Sequence, residues 1–150
     1  MLGVPRFVTG GYPFQIFQTP KLIILASEYV HMIRYVHMDR ADHRYDGDLD
    51  LWLGDSVGKW EGDTLVVETR ANGPQTWFDM AGNHHSAKMR VVERFTRTGD
   101  DTMAYTATVT DPETLTKPFT VSITLHRNTD KNAQLMEYEC HAYAEEDPKH

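Results

Sequence analysis

The feature that most constrains this fold is the alternation of side chains along residues 86–96, SAKMRVVERFT. Met89, Val91 and Phe95 fall on one face of an extended segment, and the opposite face is mostly basic or hydroxyl-bearing. A period of two predicts a β-strand with one buried face. Glu93 lies in the apolar row, where a carboxylate is costly unless it is paired or used in function.

The same period recurs along most of the chain, with Gly, Pro, Asn or Asp at the bends. Besides 86–96, the predicted strands are residues 14–17, 21–26, 29–37, 56–60, 64–69, 102–110, 119–125 and 134–141. Eight to nine short strands with hairpin-length connections predict an all-β antiparallel meander. We expect a closed or nearly closed barrel of the calycin or lipocalin type, which removes sheet edges and can enclose a small ligand. A two-sheet β-sandwich is the alternative.

Length and composition predict one β-barrel domain over residues 1–150, since 40% of the side chains are apolar and 25% are charged. Residues 1–13 are expected to form an extended arm and residues 142–150 a flexible tail. The net charge of −7 with scattered basic residues predicts no nucleic-acid partner. No apolar run reaches the length of a membrane span, so membrane insertion is not expected, and the first residues lack the apolar stretch of a signal peptide.

Four blocks of the chain carry a family signature. They are GDSVGKWEGDTLVVET at 54–69, TWFDMAGNHHSAKMRVVERF at 76–95, DDTMAYTATVTDPETLTKPFT at 100–120 and EYECH at 137–141. These blocks resemble those of a family of mostly exported, all-β bacterial proteins with no established activity, and the match covers about residues 2–140. The resemblance implies an exported or periplasmic location but no reaction. The site residues it implies are Trp60, Trp77, Asp79, His85 and Glu93, followed by Arg34 and Tyr35.

Three residues are predicted to move protons. Histidine is the residue type most used for proton transfer near neutral pH, and His85 lies at a loop-to-strand junction, where the mouth of a cavity is expected. Asp79, six residues earlier, is placed to fold back and orient His85, and Glu93 would be an acid inside the barrel. Each has a structural alternative. These are a loop histidine bonded to the backbone, a turn-forming aspartate, and a buried ion pair between Glu93 and an inward Arg34.

Aromatic and polar side chains predict a pocket for a small, largely apolar organic molecule. The predicted ligand-binding residues are Trp60, Trp77, Tyr35, Arg34, His31, Tyr105 and Tyr138. No HExxH motif is present, and His31 and His37 lie too far apart along one extended strand to share an ion. Neither a metal nor another cofactor is therefore predicted. A metal site formed by histidines of different strands is the remaining alternative.

The sequence thus predicts a cofactor-independent acid–base enzyme that carries out elimination, hydration or isomerisation on this molecule. One alternative is a hydrolase, with or without a metal ion. Another is a non-catalytic small-molecule-binding protein with the same pocket. The expected partner is a small-molecule ligand or substrate, and a homo-oligomer is left open.

Overall fold

The computed structural model describes residues 2–45, 49–136 and 138. A short helix, α1 (Arg6–Thr9), is followed by strands that form one eight-stranded sheet in the order in which they occur along the chain. The strands are β1 (Phe14–Gln18), β2 (Leu22–Ser27), β3 (Ile33–His37), β4 (Asp55–Glu61), β5 (Thr64–Arg70), β6 (Arg90–Arg97), β7 (Thr102–Thr110) and β8 (Phe119–His126). The protein is therefore an all-β meander, as the alternation predicts, and the sheet is curled into a half-barrel.

The strands pair antiparallel, with the exception of β3 and β4, which run parallel. The parallel contact covers only Val36 with Ser56 and His37 with Val57, and residues 38–54 make the long connection it requires. Strands β1 and β8 are the two edges of the described sheet. The barrel is therefore nearly closed rather than closed.

The concave side of the sheet holds the hydrophobic core, and β6 shows how the alternation builds it. Val91, Glu93 and Phe95 are buried, whereas Arg90 and Arg94 on the other face are exposed. The inward rows of the neighbouring strands contribute Ile23, Leu25, Val36, Leu65, Val67, Tyr105, Ala107 and Val109. Register is therefore fixed by burial, because a slip of one residue would turn each of these side chains outward.

The first residues differ from the predicted extended arm. They include α1, and Val4, Phe7 and Val8 are buried in the same core cluster as Phe78 and Met89. The content of Gly and Pro suggested irregular chain, but three large apolar side chains within five positions supply enough apolar surface to pack against the end of the half-barrel.

A glycine makes this packing possible. The amide of Gly3 donates to the carbonyl of Trp77 at 3.0 Å. A Cβ at Gly3 would lie 2.5 Å from Oγ1 of Thr76, so only glycine allows the two backbones to approach this closely.

Two predicted strands begin four residues later than expected. The strand expected over 29–37 begins only at Ile33, because Val30 and His31 have φ values of 43° and 50°. The strand expected from Ser86 begins at Arg90, since Ser86 lies in a turn in which its carbonyl accepts a hydrogen bond from the Met89 amide.

The last predicted strand, 134–141, is not a named strand in the described structure. Residues 134–136 have no regular structure, and residue 138 makes an isolated bridge with Tyr29. Residues 137 and 139–150, which include the expected tail, lie outside the described residues.

Replacing Phe7 tests whether the N-terminal segment belongs to the core. Phe7→Ala should lower the free energy of unfolding by about 3–4 kcal/mol, because it removes a fully buried ring and leaves a cavity. Phe17→Ala is the matched control, since Phe17 on β1 is 46% exposed and its loss should cost less than about 1 kcal/mol. Urea denaturation measures both. Equal, small losses for the two variants would contradict the packing described here.

Candidate functional site

A cavity of about 670 Å³ opens on the concave side of the half-barrel. Its deep walls are apolar and come from the inward rows of four strands: Leu25, Val36, Leu65, Val67 and Phe95. Gly62 and Gly99 also line it, and they lie in the β4–β5 and β6–β7 turns. The mouth is therefore at the end of the half-barrel where these turns lie, with Asp63 and Arg97 beside it.

Trp60 lies at this mouth. It occupies an inward position of β4, directly before the turn, and half of its surface is exposed (50%). A half-exposed indole at the entrance of an apolar cavity gives a ligand a flat contact surface and one N–H donor. Trp60 was one of the predicted ligand-binding residues, and the structure places it in the cavity lining.

A buried ion pair crosses the interior between Arg34 on β3 and Glu93 on β6. The guanidinium binds the carboxylate through both of its terminal nitrogens, and Nη1 lies 3.0 Å from Oε1. Both side chains are almost entirely removed from solvent. The arrangement is the structural alternative that the sequence suggested for Glu93, with Arg34 as the partner.

Three hydroxyl groups complete the network. The Ser56 hydroxyl accepts from Nε of Arg34 at 3.2 Å, and the Thr69 hydroxyl accepts from Nη2 at 2.8 Å. Tyr105 donates to Oε1 of Glu93 at 2.7 Å. Five consecutive strands, β3 to β7, therefore each supply one residue, and both carboxylate oxygens have donors, which is what a buried charge requires.

The environment keeps the donors of this network protonated. Burial alone would lower the pKa of Arg34, but the charge and hydrogen bonds of Glu93 outweigh burial and raise that pKa above its usual value. Burial raises the pKa of Tyr105, and the adjacent Glu93 carboxylate raises it further. Arg34 and Tyr105 are therefore hydrogen-bond donors rather than bases.

His85 is fully buried and lies outside the cavity lining. Its Nδ1 is 2.9 Å from the carbonyl of Ser86, and its Nε2 is 3.0 Å from the hydroxyl of Thr76. The Ser86 carbonyl can only accept, so Nδ1 donates to it, while the Thr76 hydroxyl also donates to the carbonyl of Gly73 at 2.9 Å. The structure thus gives His85 the surroundings of a histidine that fixes the loop before β6.

Asp79 caps a turn in the same loop. Its Oδ1 accepts from the backbone amide of Asn83 at 3.0 Å. Partial burial would raise the pKa of Asp79, but hydrogen bonds from Asn83 and from the Gly82 and Ala81 amides outweigh burial and lower it. In the described residues, the hydrogen bonds of Asp79, His85 and Glu93 have no partner in common. The structure does not bring the three predicted proton-moving residues together.

The alternation that directs Arg34 inward directs Tyr35 outward, where it is half exposed (51%). His31 is also exposed and precedes β3 in a left-handed conformation. Neither side chain lines the cavity. Neighbouring residues of one strand point to opposite faces of the sheet, so the structure places Tyr35 on the face opposite to Arg34 and outside this cavity.

The remaining predicted ligand-binding residues, Trp77, Tyr138 and Tyr105, also lie outside the cavity lining. Trp77 is largely exposed on the outside of the fold, with the guanidinium of Arg6 5.3 Å from its ring centroid. Tyr138 stacks against Tyr29 with 5.8 Å between the ring centroids. Tyr105 is buried in the ion-pair network.

Sequence reasoning missed Ser56 and Thr69. Their signal was available, because each occupies an inward position in a row of apolar residues, where a hydroxyl needs a buried partner. A buried Arg34 presents more donors than one carboxylate can accept, so inward hydroxyls in neighbouring strands are the expected additional acceptors.

A second polar cluster fastens the connection between β3 and β4 to the sheet. Asp55 accepts from the guanidinium of Arg40 and from the Arg44 amide at 2.8 Å. Burial would raise the pKa of Asp55, but these bonds and the nearby His43 lower it. His43 lies between two carboxylates, with Nδ1 3.5 Å from Asp55 and Nε2 3.8 Å from Glu68.

In residues 2–45, 49–136 and 138, no three His, Cys, Asp or Glu side chains are grouped so that they could hold a metal ion. Among the same described residues, no helix is long enough and apolar enough to cross a membrane. Comparisons of the chain with protein families, curated proteins and solved structures found no match.

Paired substitutions test the buried ion pair. Arg34→Met alone should lower the free energy of unfolding by about 3–5 kcal/mol, because it leaves the Glu93 carboxylate buried without its counter-charge. Arg34→Met with Glu93→Leu should recover part of this loss, since both charges are removed, but the Tyr105 hydroxyl left without its acceptor should keep a cost of about 1–3 kcal/mol.

Arg94→Met is the control for this pair, because Arg94 is the neighbour of Glu93 on β6 but forms an exposed ion pair with Glu61. It should cost at most about 1 kcal/mol. Urea denaturation at pH 7 compares the variants. If Arg34→Met proves as harmless as Arg94→Met, the buried pair is wrong.

The carboxylate of Asp111 makes the free energy of unfolding depend on pH. Asp111 accepts from the Ser86 amide at 2.6 Å, from the Ser86 hydroxyl at 2.8 Å and from the Glu113 amide at 3.0 Å. Burial opposes the shift, but these bonds lower the pKa of Asp111 to about 2. Because the pKa is lower in the folded protein than in the unfolded chain, the contribution is complete above about pH 4 and disappears as the pH falls towards 2.

Asp111→Asn should therefore be less stable than wild type at pH 7 by about 1–3 kcal/mol, because the charge-assisted bonds of a buried carboxylate are lost. The difference should shrink between about pH 4 and pH 2. Thermal unfolding across this range measures it, with Asp63→Asn as the control, since Asp63 is exposed. A difference that stays constant down to pH 2 would contradict the shift.

Proposed function

We propose that the protein binds a small, largely apolar organic molecule in the half-barrel cavity. The observation that carries this proposal is a cavity of about 670 Å³ with apolar deep walls and Trp60 at its mouth. Small-molecule sites typically have volumes of roughly 300–1,000 Å³ and mostly hydrophobic linings with a few polar groups. Apolar walls stabilise such a ligand by removing its surface from water.

The geometry favours binding over catalysis. Of the buried network, Arg34 alone lines the cavity, while Glu93 and Tyr105 do not. Both oxygens of Glu93 already accept hydrogen bonds from protein groups, and neither His85 nor Asp79 lines the cavity. A general acid or base must reach the proton that it transfers. The acid–base enzyme and the hydrolase expected from the sequence therefore have less support than the non-catalytic binding protein.

Binding is tested with N-phenyl-1-naphthylamine, a neutral apolar dye whose emission rises in an apolar site. We expect saturable binding to the wild-type protein. Trp60→Ala should weaken it about three- to tenfold, because one aromatic contact of about 0.5–1.5 kcal/mol is lost.

Trp52→Ala is the matched control for this substitution. Trp52 has almost the same exposed fraction as Trp60 (53%) but does not line the cavity, so its replacement should leave the affinity for the dye unchanged. Dye that does not saturate the wild-type protein, or a loss that is equal for both variants, would overturn the proposal.

A further inference from the structure

We infer that the deep end of the cavity accepts a neutral carbonyl oxygen, so that the ligand is an apolar ketone, ester, lactone or amide rather than a carboxylate. The inference rests on the proposed function, because it assigns a ligand class to the same cavity. It depends on two properties of Arg34, its remaining hydrogen-bond donor and the charge already paired with it.

The donors of Arg34 are almost fully used. Nε donates to Ser56, and the two N–H groups of Nη2 serve the hydroxyls of Ser56 and Thr69 and Oε2 of Glu93. Nη1 donates to Oε1 of Glu93. A guanidinium has five N–H groups, two of them on Nη1. One N–H of Nη1 is therefore left without an acceptor among the described residues, on a side chain that lines the cavity.

A buried N–H without an acceptor is costly, at about 1–3 kcal/mol. Three of the residues that line the cavity with Arg34 are Leu25, Val36 and Val67 of β2, β3 and β5, and their side chains have no acceptor. An oxygen atom on the ligand would satisfy this donor. The hydrogen bond would be charge-assisted, and such bonds are stronger than those between neutral groups.

Charge decides which kind of oxygen fits. The positive charge of Arg34 is already matched by Glu93, with both side chains removed from solvent. A ligand carboxylate would add a second negative charge beside Glu93 in an apolar site, where an unmatched charge is strongly unfavourable. The charged residues Asp63, Arg97 and Asp100 lie at the turns around the mouth and do not neutralise a charge at depth. A neutral carbonyl oxygen accepts a hydrogen bond from the remaining N–H of Arg34 Nη1 without this cost.

Three ligands with one ring system separate these possibilities. They are 2-acetylnaphthalene with a neutral acceptor, 2-ethylnaphthalene with none, and 2-naphthoate with an anion. We expect wild-type protein at pH 7 to bind 2-acetylnaphthalene roughly ten- to hundredfold more tightly than 2-ethylnaphthalene, the ratio expected for one charge-assisted hydrogen bond. It should bind 2-naphthoate most weakly. Isothermal titration calorimetry measures all three.

Two variants test the roles of donor and charge. Arg34→Met with Glu93→Leu removes the donor and both charges, and it should bind 2-acetylnaphthalene and 2-ethylnaphthalene equally. Glu93→Gln keeps Arg34 but leaves its positive charge unmatched, so 2-naphthoate should gain at least about tenfold relative to 2-acetylnaphthalene. Arg94→Met is the control, since Arg94 is exposed on the outer face, and it should keep the wild-type order. Circular dichroism establishes that each variant is folded.

The outcomes separate the ligand class from the proposed function. Wild-type preference for the ketone that disappears in the double variant supports the inference. If the three ligands bind equally, or if 2-naphthoate binds most tightly to wild type, the inference is overturned while the cavity remains a binding site. If none of the three binds, the proposed function fails, and the ligand class fails with it. Should Glu93→Gln not fold, the double variant and Arg94→Met still decide between these results.

Discussion

The interaction on which the rest of this structure depends is the buried pair between Arg34 and Glu93. A closed barrel fixes its own curvature through strand pairing, but the edges β1 and β8 of this half-barrel are not joined in the described sheet. The pair connects β3 with β6 across the concave side, and partners from β4, β5 and β7 surround it. This connection across the concave side keeps the sheet curved, although β1 and β8 do not pair to close the barrel.

The same pair specifies register more than it adds net stability. Desolvation of two charges largely offsets their attraction, so a buried ion pair is weak evidence for a stable fold. A shift of one residue in β6 would nevertheless move Glu93 to the outer face of the sheet. Arg34 would then remain buried without a counter-charge. A register shifted by one residue is therefore costly, and the difference in free energy between it and the correct pairing favours a single arrangement of the meander.

The sequence predicted what depends on local period and missed what depends on contacts between distant segments. Alternation was sufficient to place Glu93 inside and to nominate Arg34 as its partner, because parity along a strand is a local property. The burial of α1 depends on Gly3 meeting Thr76 across more than seventy positions, and no period records such a contact. His85 illustrates the same limit for the site. Its residue type suggested proton transfer, but its contacts with Thr76 and Ser86 were set by loop packing.

The network also divides the interior into two regions with different properties. On the side of α1, Phe7, Met89 and Val91 form part of a solid core, whereas towards the turns the walls surround open space. Arg34 lies on the boundary with its guanidinium held by four protein oxygens, so a ligand that bonds to it meets a donor whose orientation is already fixed and loses little entropy in ordering it. Trp60 at the mouth is half exposed and is less constrained by its neighbours. Under the proposed function, a fixed donor at depth combined with an adaptable aromatic entrance would discriminate the functional group of a ligand more strongly than the shape of its apolar part.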